Sequence, residues 1–180
     1  MELYRERGFE ETTAAQIAAR AGLNPRTFFR HYPDKREVLF DGEADLRAAL
    51  VQEVIEAPEG LAPFEVLLEA FRKAAQILEG NRPFSEPRLQ IIAATPALRE
   101  RELAKHASII EALTHALRRR VQNDRLAALA AQTGWATFQA AAEAWIEDPS
   151  QNLQAHLNQA FDDLHTLSAA ARPRTTRQKK

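Results

Sequence analysis

Residues Thr12 to Phe40 read TTAAQIAARAGLNPRTFFRHYPDKREVLF, and their punctuation leaves the backbone few choices. Thr13-Ala14-Ala15-Gln16 has the form of a capping box: the Thr13 hydroxyl accepts from the amide three residues on, and Gln16 reaches back to the cap. Ala14, Ile17, Ala18 and Ala21 form a narrow apolar face that lets another helix cross closely. Gly22 stands where a helix ends in a left-handed residue, a conformation glycine takes without a side-chain clash. Asn24-Pro25 restarts a helix, Asn as cap and Pro at the first position, where no hydrogen bond is lost. Tyr32-Pro33 ends it, because the residue before proline is pushed out of the helical region. Asp34-Lys35-Arg36-Glu37 looks like a further capped start. Two short helices joined by a three-residue turn have helix-turn-helix geometry.

The side chains of this stretch suit a nucleic acid. Between Arg20 and Arg36 five cations (Arg20, Arg26, Arg30, Lys35, Arg36) stand against one acid, Asp34. Arg26 and Thr27 fall in the first turn of the second helix, where a recognition helix meets base edges. Arg reads guanine bidentately, and Thr or an aromatic ring touches a thymine methyl. His31, Tyr32 and Lys35 lie where phosphates would pass. The bland alternative makes Phe28, Phe29 and Tyr32 core and the charges a solvated face. The order of signals favours DNA binding.

These residues also carry a resemblance. Gly8-Phe9, Thr12-Thr13, Ile17-Ala18, Ala21-Gly22, Thr27 to Tyr32, Lys35 and Val38-Leu39 resemble the N-terminal domain of TetR-type transcriptional regulators. The resemblance implies that Thr13, Asn24, Pro25, Arg26, Thr27, Phe28, His31, Tyr32 and Lys35 face DNA, with Phe29 a packing residue. One departure stands out. Family members have a longer first helix preceded by a basic arm, whereas Met1 to Arg7 supplies only about two turns. A first helix this short would give up core contacts and any contact of an arm with the minor groove.

Composition narrows the remaining classes. Of the net charge of −1, the segment from Arg172 to Lys180 carries five cations and no acid, leaving residues 1–171 at −6. An acidic body with one basic patch implies local, salt-sensitive DNA affinity. The absence of cysteine excludes disulfides and thiolate chemistry. No apolar run approaches the ~20 residues that span a bilayer, and no signal peptide is apparent, so no membrane partner and a cytoplasmic location are expected. Hydrophobic content of 45% supplies a sizeable core.

With Pro and Gly scarce inside segments and no strand-like alternation, the chain reads as all-α: a three-helix helix-turn-helix domain over 1–40 with a truncated first helix, a larger helical effector-binding and dimerisation domain over 41–170, and a basic disordered tail over 171–180. Helical spacing predicts a long connecting helix from Lys35 to about Ala57, bent at Gly42. Further helices are predicted over 63–79, 86–94, 96–120, 124–147 and 151–170. The run Arg118-Arg119-Arg120 suits a helix C-terminus better than a second nucleic-acid site. The last two helices, rich in alanine, are expected to pair with a second copy in a four-helix interface.

Ile91 to Arg99, Arg118 to Arg120 and Ala144-Trp145-Ile146 are similar to the acyl-CoA-like ligand-binding domain of some TetR-type regulators, known from the mycofactocin regulator. That resemblance implies a fatty acyl-CoA or another long apolar ligand. Phe64, Leu68, Phe71, Ile91, His106, Ile109, Leu113, Trp135 and Phe138 are the candidate lining, with Gln139 a further polar group and Arg82, Arg88 or Arg99 at a mouth. A filled core is the competing reading for the apolar ones. No cofactor, metal site or catalytic constellation is expected. The five histidines show no HExxH pattern, and neither a phosphate loop nor a GxSxG elbow occurs. The sequence thus points to a homodimeric, ligand-released repressor of a near-palindromic operator. The alternative is an all-helical small-molecule-binding or interaction protein with a vestigial DNA motif.

Overall fold

The computed structural model describes residues 1–148 and 150–170, and the expected tail over 171–180 lies outside the described residues. Among these residues the protein is all-α with no strand. Three short helices, α1 (Glu2–Arg7), α2 (Ala14–Arg20) and α3 (Pro25–His31), precede a 3-10 turn over Glu37–Phe40. Six longer helices follow: α4 (Glu43–Glu56), α5 (Pro63–Gly80), α6 (Arg82–Ala94), α7 (Pro96–Arg118), α8 (Asp124–Glu147) and α9 (Leu153–Ala170).

Helices α5 and α7 end within two residues of expectation, at Gly80 and Arg118, and three other boundaries differ for a local reason. The helix expected from Lys35 to Ala57 is split. Asp41 is extended (φ −61°, ψ 136°) and Gly42 is left-handed (φ 83°), so the 3-10 turn ends before α4 begins. A left-handed backbone at a single glycine breaks a helix where a mere bend was expected. Helix α6 starts at Arg82, four residues early, because proline is tolerated in a first turn and the Ser85 hydroxyl lies 3.1 Å from the Asn81 carbonyl and 3.3 Å from that of Leu78. Helix α9 starts at Leu153, where the Asn152 side chain accepts from the Ala155 amide at 2.8 Å.

The body core forms on α5. Its buried residues Val66, Leu67, Ala70, Phe71, Ala74 and Ala75 recur at three- and four-residue spacing, a single inward stripe. Phe71 is the hub, its ring centroid 5.0 Å from Phe138, 6.0 Å from Trp135 and 6.2 Å from Phe161. Burying such a ring stabilises the fold by about 1.5–3 kcal/mol. At Gly134 a Cβ would come within 2.7 Å of Leu67 Cδ1, so α8 crosses close over α5 and any larger residue there would force the Leu67 side chain to shift. Leu153, Leu157 and Phe161 bring α9 into the same core.

A second, smaller cluster joins the N-terminal helices to the body. Tyr4, Phe9, Leu39 and Phe40 pack with Ile92 of α6 and Leu98 of α7, and Ile91 packs beside them.

Candidate nucleic-acid interface and ligand cavity

Local hydrogen bonding sets the N-terminal head. The Thr13 amide donates to Gln16 Oε1 at 2.9 Å and the Gln16 amide to Thr13 Oγ1 at 3.2 Å, completing the capping box. At the far end of α2 the Leu23 amide donates to the Ala18 carbonyl at 2.8 Å and the Gly22 amide to that of Ala19 at 3.1 Å. With Gly22 at φ 70°, that pair of bonds is a Schellman stop. The Asn24 side chain then accepts from the Thr27 amide at 2.8 Å, and Pro25 leads α3. Each bond spans three to five residues, so the turn between α2 and α3 is specified by its own stretch of chain.

The head is nevertheless tied to what precedes it. Tyr4 is only 3% exposed, its hydroxyl donates to the Lys35 carbonyl at 2.5 Å, and burial pushes that hydroxyl's pKa up. The buried Thr12 hydroxyl lies 2.7 Å from the Gly8 carbonyl and 3.2 Å from that of Leu3. Although α1 has six residues, it keeps core contacts that its length was expected to forfeit.

Five cations become fewer free ones. Arg20 pairs with Glu6 and Glu2, each at 3.0 Å, and Arg36 chelates Asp34 at 2.6 Å. Lys35, expected at a phosphate, donates to the Phe9 carbonyl at 2.7 Å and the Glu10 carbonyl at 3.2 Å, with its ammonium 4.3 Å above the Phe9 ring. It fastens the α1–α2 loop. Arg26 and Arg30 are exposed and form no ion pair among the described residues. Thr13, Asn24, Pro25 and His31 are exposed beside them, and Thr27 is half-buried.

The two phenylalanines exchange their expected places. Phe28 is 3% exposed and packs at 5.4 Å from the Tyr32 ring, so it cannot present its face to DNA. Phe29 is 54% exposed. Consecutive helical residues point about 100° apart, and α3 turns the first of the pair inward. Tyr32 is half-buried and its hydroxyl donates to Asp41 Oδ2 at 2.7 Å.

Beneath the head lies a cavity of about 280 Å³. Its walls come from Phe40 to Leu46, the end of α5, and the facing sides of α6, α7 and α8. Of the nine candidate lining residues, His106, Ile109, Trp135 and Phe138 face it, with Gln139 and Arg88. The other five lie elsewhere. Phe71 and Leu113 are fully buried in the body core, Phe64 and Leu68 pack against that core, and Ile91 belongs to the head joint. Arg82 is also displaced, its guanidinium 4.9 Å above the Trp145 ring. Phe84, Leu89, Leu46 and Ile146 line the cavity without having been anticipated. A helix's own apolar stripe marks the side that is covered, but not whether side chains or a void cover it.

The polar end of the cavity lies toward the head. The Arg88 Nε–H donates to the Leu39 carbonyl, its guanidinium lies 5.3 Å from the Phe40 ring centroid, and Glu102 is 3.9 Å away. Lys105 is shared between Glu43 at 3.2 Å and Glu37 at 3.4 Å. His106 Nδ1 lies 3.0 Å from Gln139 Nε2, and burial lowers the imidazole pKa. Burial also raises Glu102. At the opposite end of α4, Arg120 donates to the Ala57 carbonyl at 2.8 Å and also to Pro58, which gives one residue of the basic run a clamping role.

Comparison with known proteins gives this arrangement its place. Residues 1–41 match the family model for bacterial regulatory proteins of the tetR family, and residues 61–168 match the MftR C-terminal domain. The chain belongs to the TetR family. Its members are DNA-binding transcriptional regulators, and this one pairs the helix-turn-helix head with an MftR-type ligand-binding body. It is 24% identical over 166 residues to the putative mycofactocin biosynthesis regulator MftR of Mycobacterium tuberculosis, spanning 90% of this chain and 83% of that protein. It is 36% identical over 72 residues to the regulator TcmR of Streptomyces glaucescens, a match covering 40% of this chain and about a third (32%) of TcmR's length.

Among solved structures, Thermus thermophilus FadR, a TetR-family repressor in complex with lauroyl-CoA, aligns with TM-score 0.60 and 27% identity over 100% of this chain and 95% of that one. The TetR-family regulator PfmR, also from Thermus thermophilus, aligns with TM-score 0.51 and 25% identity, covering 91% and 92%. No group of metal-ligating side chains occurs among the described residues of this TetR-family regulator. No helix among them is long and apolar enough to cross a membrane.

Proposed function

We propose that this regulator is a cytoplasmic homodimeric repressor that two α3 helices hold on a near-palindromic operator and that an acyl-CoA-like effector releases. The observation that carries the reading is the shared wall. Phe40, Asp41, Gly42 and Glu43, the link between head and α4, also line the cavity. A ligand that favours a displaced link would weaken DNA binding, and DNA would weaken the ligand by the same factor. Lauroyl-CoA in the Thermus FadR structure supports an acyl effector.

On the head, Arg26 would read a base and Arg30 would meet phosphate, with Thr13, Asn24, Pro25, Thr27, His31 and exposed Phe29 around them. Dimerisation would use the outward sides of α8 and α9. Leu126, Leu129 and Leu167 are 45%, 55% and 72% exposed there, while the inward sides fill the body core. Two heads one helical turn apart, ~34–36 Å, would enter successive major grooves.

The test selects bound duplexes from a random pool, then measures mass in solution and titrates lauroyl-CoA into the complex. A dimer whose band shift is lost on titration is expected. A monomer that selects no duplex at low salt would favour the small-molecule-binding alternative.

A further inference from the structure

The cations facing the cavity are not equally neutralised. Lys105 sits between two carboxylates, at 3.2 and 3.4 Å, and Arg101 nearby is bound by Glu37 at 2.7 Å. Among the described residues Arg88 forms one ion pair, with Glu102, whose nearest oxygen is 3.9 Å from Nη1, beyond hydrogen-bonding distance; Glu43 adds a more distant negative charge. Its Nε–H instead serves the Leu39 carbonyl, forty-nine residues away in the head's 3-10 turn, and its guanidinium packs against the Phe40 ring. The side chain stays 22% exposed, open to the cavity it lines.

A guanidinium grips an oxyanion best through parallel N–H bonds, and its side-on edge uses Nε–H together with one Nη–H. Nε cannot point along that edge toward a ligand and remain on Leu39. A side-on grip and the bond to Leu39 therefore exclude each other, and only an end-on grip through Nη1 and Nη2 would leave the head tethered. Resting on the effector reading above, we propose that Arg88 is a latch. It holds the reading head through Leu39 in the free protein, and it surrenders that bond to the oxyanion of an entering ligand, a carboxylate or a phosphate. Glu102 holds the guanidinium near its charge without satisfying it, so an incoming oxyanion gains bonds that the protein leaves unmade. Burial lowers the Arg88 pKa and raises that of Glu102, consistent with a pair poorly compensated in the free protein.

The latch is decided by Arg88→Met, which keeps an apolar stem against Phe40 and removes the fork, compared with the full-length wild type. Without any ligand, Arg88→Met should speed amide exchange across residues 37–41 at least tenfold while exchange in α5 and α8 stays unchanged. It should also bind the selected duplex at least tenfold more weakly. Laurate or lauroyl-CoA should then change that affinity less than twofold. Glu102→Gln removes the nearby carboxylate charge without cutting the tether, so its ligand midpoint should fall at least threefold with ligand-free DNA affinity unchanged. Release of the wild type by laurate assigns the oxyanion to a carboxylate, and release by lauroyl-CoA alone assigns it to phosphate. Wild-type exchange over 37–41 in Arg88→Met, or release of that variant at the wild-type midpoint, overturns the latch. If neither compound releases the wild type, the acyl-effector reading fails, and the amide exchange of Arg88→Met still decides whether the tether exists.

Discussion

The reading head and the cavity beneath it are held by contacts of different reach. In the head the defining bonds join near neighbours: Thr13 with Gln16, Ala18 with Leu23, Asn24 with Thr27. Around the cavity and the joint between head and body they join distant ones: His106 with Gln139, Arg88 with Leu39, Arg101 with Glu37, Arg47 with Ser108, separated by 33 to 64 residues. The head keeps its shape from its own chain and presents exposed cations. The cavity exists only while several helices stay in register.

Removing the hub of the body tests this most severely. Phe71→Ala should destabilise the protein by about 3–5 kcal/mol, because ring and packing are lost together. Urea unfolding followed by circular dichroism measures it, and a loss below ~1 kcal/mol would show that the body does not depend on that hub. In the head, Arg26→Ala should cost about 1–3 kcal/mol of DNA binding, roughly ten- to a hundredfold, with unfolding unchanged. Full-affinity, sequence-specific binding by this variant would remove α3 as the reader.

A smaller effect probes the turn. Gly22→Ala forces a β-carbon into the left-handed region and should cost about 1–2 kcal/mol, seen as faster amide exchange in α2 and α3 before any change in α5. Uniform loss across both regions would contradict the head's local construction. The smallest effect lies at the joint. The Arg101 guanidinium holds the Glu37 carboxyl below the ordinary glutamate range. The stability this adds is present above that range and lost as pH falls through the lowered value. Glu37→Gln should therefore be less stable than the wild type near neutrality by under about 1 kcal/mol, given the partial exposure of Arg101. The gap should close on acidification; acid melts in which it widens would assign the pair no stabilising role.

Legibility in the sequence follows the same division of reach. The capping box, the glycine stop, the Asn-Pro restart and α8 from Asp124 to Glu147 were readable because each depends on residues a turn or two apart. The periodicity of α5 identified Phe71 as inward-facing, but could not separate a core position from a cavity wall. That choice depends on whether α8 brings Trp135 and Phe138 against the ring or leaves space beside it. The burial of Phe28 and the engagement of Lys35 by backbone carbonyls escaped the sequence for a related reason. Composition names a cation and an aromatic ring, whereas the docking of α1 decides that the cation caps the Phe9 and Glu10 carbonyls.

By itself the sequence determined an all-helical chain with a helix-turn-helix reader, because caps, prolines and a left-handed glycine act over one or two turns and need no partner. Only the tertiary structure decided that Lys35 is engaged by the Phe9 and Glu10 carbonyls, and that the cavity abuts the head with Arg88 spanning both. Those properties depend on groups tens of residues apart, which burial alone brings together.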